Sequence, residues 1–240
     1  MIIERIINIL KNHGFTLAEV LITLGIIGIV TAITIPTIVN KYQKQQTVAK
    51  LKKAYSVLGQ VMQRAVADNS AVELGVGETL DANKVKNFFQ TYWFPYFNAP
   101  SIYSKSLGND FYSTPSGNSI NVEIFNNYEF GRVFFITQEG TSYFVSIMTW
   151  SGDENGDLGH PLIASKQVVF IDINGLKRPN ILGKDVFLFQ IDYELGIVRP
   201  DGYNRSEAQI NKDCSKSGSG HLCAAKIMHD GWQISDDYPW

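Results

Sequence analysis

From Phe15 to Val39 the chain runs for 25 residues without a Lys, Arg or Asp, and its single charged residue there is Glu19. As a helix this run is about 37 Å long at about 1.5 Å per residue, and the hydrocarbon core of a bilayer is about 30 Å thick. It reads as a membrane-spanning helix. A carboxylate near the middle of such a span costs about 2.5–3.5 kcal/mol on insertion scales, which neighbouring Ile and Leu offset at about 0.3–0.6 kcal/mol each. An ionisable residue in a span is a functional candidate whose partner has to be found.

The preceding stretch, MIIERIINILKNHG, carries Arg5 and Lys11 against Glu4 and stops at Gly14. A secretory signal peptide has an apolar core of about 7–15 residues followed by a small-residue cleavage site. Here the apolar run is too long and no such site follows it. Gly14-Phe15-Thr16-Leu17-Ala18-Glu19, with Gly28 and the Pro36 near the end of the run, resembles the prepilin cleavage and methylation motif of type IV pilins and type II secretion pseudopilins. In that family a membrane peptidase cuts after the glycine and methylates the new amino group.

The resemblance implies cleavage between Gly14 and Phe15, N-methylation of Phe15, and retention of the apolar helix as an anchor and then as a filament core. It also implies the partner of Glu19, which is the Phe15 ammonium of a neighbouring subunit. Either charge alone is unwelcome in an apolar setting, whereas the pair offsets both and fixes the register between subunits. The implied partners are identical or related pilin subunits, a prepilin peptidase and methylase, an inner-membrane assembly platform and membrane lipid. The implied location is the bacterial cytoplasmic membrane, single-pass with an extracytoplasmic head, followed by assembly into a pilus or pseudopilus. The alternative is a membrane-anchored extracytoplasmic binding domain that never polymerises.

Five lysines (Lys41, Lys44, Lys50, Lys52 and Lys53) follow the span closely, against two basic residues in the leader. The positive-inside rule alone would place the C-terminal side in the cytoplasm. The cleavage motif, whose peptidase acts on the cytoplasmic side, places it outside and outweighs that rule. Residues 15–69 hold six basic and two acidic residues, and residues 70–240 hold thirteen basic and twenty acidic. An acidic head argues against nucleic-acid binding, which requires a basic patch.

After Pro36 the pattern turns amphipathic. Val48, Leu51, Tyr55, Leu58, Met62 and Val66 step by three or four residues and form one helical stripe. The expectation is one long helix from Phe15 to about Asp68, bent or loosened between Ala32 and Pro36 because proline lacks an N–H. A short helix is expected from about Ala82 to Tyr92, with Trp93, Phe94, Tyr96 and Phe97 as core. From residue 119 the runs SINVEIF, GRVFFITQ, TSYFVSIMTW, KQVVFIDI, DVFLFQID and LGIVR read as strands, with a hairpin at Gly140. This gives an α+β fold with an antiparallel sheet laid on the helix. The expected organisation is a leader at 1–14, a transmembrane and polymerisation helix at 15–39, its amphipathic continuation at 40–69 and a globular head at 70–240.

Cys214 and Cys223 enclose a Ser/Gly-rich loop, CSKSGSGHLC. A disulfide there suits an extracytoplasmic location and stabilises by about 2.5–3 kcal/mol in the chain-entropy model. Zinc on Cys214, His221, Cys223 and His229 is the rival, although the spacing lacks the usual close Cys pair. In DENGDLG, Asp153, Asn155 and Asp157 alternate as in calcium loops. Position 164 is Ala where an EF-hand needs glutamate, and a solvated turn is the other reading, so calcium is the one cofactor in view. Asp172, Asn174, Asn180 and Asp185 read as turn chemistry. His160, His221 and His229 have no nucleophile motif beside them, His13 lies in the leader, and G-x-S-x-G, P-loop and H-E-x-x-H are absent. The chain reads as a structural subunit and not an enzyme.

Overall fold

The computed structural model describes residues 15–69, 81–98, 100–103, 107–108, 110–120, 131–146, 166–192 and 196–240. The chain divides into two units, one ending at Gln43 and the other covering Lys44–Trp240.

Helix α1 is Leu17–Asn69 and stays helical through Pro36. The expected loosening near Ala32 therefore does not interrupt it. In the first unit the large apolar side chains from Leu21 to Ile38 are all more than half exposed. The hydroxyls of Thr23, Thr31 and Thr34 donate to the carbonyls of Glu19, Ile27 and Val30 at 2.9, 2.6 and 2.9 Å, and Thr37 reaches Ile33 O at 3.3 Å. A helix that satisfies its own polar side chains in this way leaves only apolar surface for lipid.

In the second unit the same helix buries Leu51, Ala54, Leu58, Val61, Met62 and Ala65. The expected stripe holds, and small residues widen it where the helix backbone approaches the sheet. Tyr55 donates to Val198 O at 3.2 Å, and Tyr143 donates to Ala54 O at 3.4 Å. Helix α2, Ala82–Tyr92, starts at Asp81, whose carboxylate accepts from the Asn83 and Lys84 N–H groups at 2.8 and 3.2 Å. Its buried face is Val85, Phe88 and Phe89. A single 3-10 turn, Phe94–Tyr96, follows with Pro95 in it, and Trp93 and Phe97 are core.

Six strands, β1 Ser101–Ile102, β2 Arg132–Ile136, β3 Ser142–Ser146, β4 Lys166–Asp172, β5 Val186–Asp192 and β6 Ile197–Pro200, pair in sequence order. Every pairing is antiparallel. The β2–β3 hairpin turns at Gly140, where φ is +83°, a conformation that glycine adopts without steric cost. Both faces of the sheet are covered, which is why the runs Val133–Ile136, Tyr143–Val145, Val168–Ile171 and Val186–Phe189 in β2 to β5 are apolar without a break. Val133, Phe135, Tyr143, Val145, Val169, Ile171, Phe187 and Phe189 face the helix core. The alternate residues Phe134, Phe144, Phe170 and Leu188 join a second core with Phe111, Tyr112 and Ile120. The strand expected at SINVEIF lies almost wholly outside the described residues.

Two further helices, α3 Glu207–Asp213 and α4 Cys223–His229, close the chain. Helix α3 opens on a reciprocal cap between Ser206 and Gln209. Both were missed by periodicity, because seven residues make only two turns. The Lys226 side chain, 4% exposed, donates to Asn211 and Asp237 at 2.8 Å each and lies 3.5 Å from Asp230. Tyr238 donates to Gly183 O, so the last residues are fastened to the sheet side of the fold.

Candidate functional site

The start of α1 is a closed turn. The Thr16 carbonyl accepts from Val20 N–H at 3.2 Å, which makes Thr16 the capping residue. Its hydroxyl accepts from Glu19 N–H at 3.2 Å. In return Glu19 Oε2 accepts from the Thr16 N–H and from the Thr16 hydroxyl, both at 2.8 Å. This is a capping box, in which two orphan donors of the first turn are met by side chains. None of the three bonds uses Glu19 Oε1. Phe15 immediately precedes the turn and is 86% exposed. The carboxylate is thereby held at the helix entrance, three residues from Thr16 and beside the position of the expected new terminus. Thr16 was not among the expected site residues, although T-x-x-E ahead of an apolar run signals this cap. Gly14 lies outside the described residues.

In the head, the loop after β4 gathers Asp172, Asn174, Asn180 and Asp185. Asp185 accepts from Asn180 N–H at 2.9 Å, Ile181 N–H at 2.5 Å and the Asn174 amide at 3.0 Å. Asp172 accepts from Asn174 N–H at 3.1 Å. The turn reading of these residues is correct as far as it goes. Beyond it, Asp172 Oδ2, Asn174 Oδ1 and both carboxamide atoms of Asn180 are buried without a hydrogen-bond partner. Burial pushes the Asp172 carboxyl up to about 8, opposed by the Asn174 N–H and reinforced by the charge of Asp185. The Asp185 carboxyl is also raised by burial, and its backbone donors work against that.

Cys214 and Cys223 form a disulfide with Cα atoms 4.9 Å apart. Both cysteines are consumed, so the zinc reading is overturned. No thiolate remains to bind a metal. Asp213 shapes the enclosed loop, accepting from Leu222 N–H at 2.7 Å and from the Ser219 hydroxyl. Asp153, Asn155 and Asp157 lie outside the described residues, as does His160. Among the described residues no three His, Cys, Asp or Glu side chains are placed to share a metal.

Residues 9–35 match a family model described as the Prokaryotic N-terminal methylation motif. Residues 37–240 match the Family of unknown function (DUF6613). The chain belongs to DUF6613 and is type IV pilin-like. No curated protein and no solved structure matches it. The motif, the long apolar helix and the six-stranded antiparallel sheet together give the α+β pilin-like architecture. The motif and the helix also fit membrane anchoring.

Proposed function

We propose that this chain is the structural subunit of a type II secretion pseudopilus or a type IV pilus. It is cut after Gly14, methylated on Phe15, and polymerised through α1. The observation that carries this reading is the first turn of α1, where the only acid of a 25-residue apolar run is held beside the expected new terminus. In a packed array of such helices the Phe15 ammonium of one subunit is a charge-assisted donor for Glu19 of the next. The exposed apolar surface from Leu21 to Ile38 is then covered first by lipid and later by other helices.

Processing is tested by the intact mass of protein extracted from the membrane of a peptidase-positive host. The expected species lacks residues 1–14 and carries one added methyl group. A full-length, unmethylated chain would contradict the proposal.

A further inference from the structure

A short strap, residues 111–120, lies on the second face of the sheet. It folds back on itself, with Thr114 N–H donating to Asn118 O and Ile120 N–H to Tyr112 O, both at 2.9 Å. Two bonds tie it to the chain ahead of β5, from Ser113 N–H to Asn180 O at 3.1 Å and from Leu182 N–H to Ser113 O at 2.9 Å. Phe134, Phe144 and Phe170 share its core, and the Tyr112 ring stacks on Phe170 with centroids 5.8 Å apart.

Beside this stack three polar groups converge. Ser142 and Asp172 are directly opposite each other on β3 and β4, two residues along from Phe144 and Phe170, so both side chains stand on the strap's side of the sheet. The Tyr112 hydroxyl reaches the same place. Burial pushes its phenol well up, a charge on Asp172 adds to the rise, and the neighbouring Ser142 hydroxyl works against it. Tyr112 is 1% exposed and the other two 0%, yet the Tyr112 hydroxyl, Ser142 Oγ and Asp172 Oδ2 all lack a hydrogen-bond partner.

Asp172 also shares its loop with a second buried carboxylate, Asp185. Asp185 has the Asn180 and Ile181 N–H groups and the Asn174 amide as donors, and so carries the negative charge. Among the described residues no Lys, Arg or His forms an ion pair with either acid. Lys177 and Arg178 of the loop are exposed, and Lys184 lies over the Trp240 ring. On β3 and β5 the residues opposite Asp172 are Ser142 and Val186, so Asp185 and Tyr112 are the titratable groups that face it. Of two neighbouring buried carboxyls without a cation, the one with fewer donors keeps its proton, and a protonated carboxyl is itself a donor.

We propose that Asp172 keeps its proton in the folded head and shares it with the Tyr112 and Ser142 hydroxyls, forming a pH-operated latch that holds residues 111–120 on the sheet. Opening the strap brings the carboxyl to water, where it ionises and releases that proton. The latch does not depend on whether the chain polymerises. Its sign follows from the raised carboxyl: the hold is full below the ordinary value of 3.8 and is lost as pH rises through about 8.

The test uses the full chain in detergent. Infrared spectra of wild type at pH 7 should show a protonated-carboxyl band that is absent from Asp172→Asn and fades as pH rises through about 8. Amide exchange at Ser113, Ile120 and Leu182, corrected for the chemical exchange rate, reports opening of the strap. In wild type, opening should grow about tenfold per pH unit across the interval from 3.8 to about 8 and then level, because one proton leaves on opening. In Asp172→Asn it should not vary with pH. If Asp172→Asn fails to fold, Tyr112→Phe replaces it and should shift the band by removing a hydrogen-bond partner of the carboxyl. No protonated carboxyl at pH 7, strap opening that ignores pH in wild type, the same pH dependence in Asp172→Asn, or a band unmoved by Tyr112→Phe would each overturn the proposal.

Discussion

Thr16 and Glu19 satisfy each other at the one place in the apolar helix where orphan N–H groups are unavoidable. Removing the Thr16 hydroxyl frees Glu19 N–H and takes one of the two bonds from Oε2. Losing an N-cap costs about 0.5–2 kcal/mol. Thr16→Val should therefore fray the first turn, seen in detergent as faster amide exchange at Leu17 to Glu19 with the rest of the helix unaffected. Unchanged exchange there would argue that the cap contributes nothing. Glu19 was legible in the sequence because it is the single charge in an apolar run of 25 residues. Thr16 was not, because a threonine in this segment has two fates. Thr23, Thr31 and Thr34 turn back on their own helix, and only the position before the first turn makes Thr16 a cap.

Among the elements, the long helix and five of the strands were readable because each repeats its pattern over enough residues. The shared burial of both sheet faces was not drawn from the sequence, although unbroken runs such as VFLF are its physical consequence. The segment that covers the second face supplies Phe111 and Tyr112 from irregular chain, where no period exists to be read. Cys214–Cys223 ties the end of α3 to the start of α4 across a loop shaped by Asp213. Cys214→Ser should lower the melting temperature under oxidising conditions by an amount corresponding to about 2–3 kcal/mol, with wild type and variant converging under reducing conditions. Equal melting in both conditions would mean that the loop is held by Asp213 and packing alone. The turn at Gly183, just ahead of β5, shows similar closeness. A Cβ there would lie 2.6 Å from Cys223 Sγ, at a φ of +81°, so the glycine lets the disulfide approach the sheet.

At the scale of the whole molecule, the acidic head carries an ion network that fastens its C-terminus. The bond from Lys226 and the Ser235 hydroxyl hold the Asp237 carboxyl down from 3.8 to about 2. A depressed folded-state pKa contributes stability above the unfolded value and loses it as pH falls through the folded one. The wild type should thus be more stable than Asp237→Asn at neutral pH, and the gap should close as pH falls from about 3.8 through about 2. A gap independent of pH would show that Asp237 acts by shape and not by charge. The division of charge between a basic helix segment and an acidic head was visible in the sequence. The placement of Lys226 in the interior was not, because its partners come from three separate stretches of chain.

The central claim is that Glu19 serves subunit packing and does not merely decorate a membrane span. It is tested by the sheared or cross-linked polymer fraction of wild type and Glu19→Val at matched membrane levels. Removing one partner of a buried ion pair leaves the other uncompensated, at about 3–5 kcal/mol per contact. The expectation is a variant that is inserted and cleaved but yields little polymer, with Glu19→Asp in between. A Glu19→Val chain that polymerises as well as wild type would contradict the account.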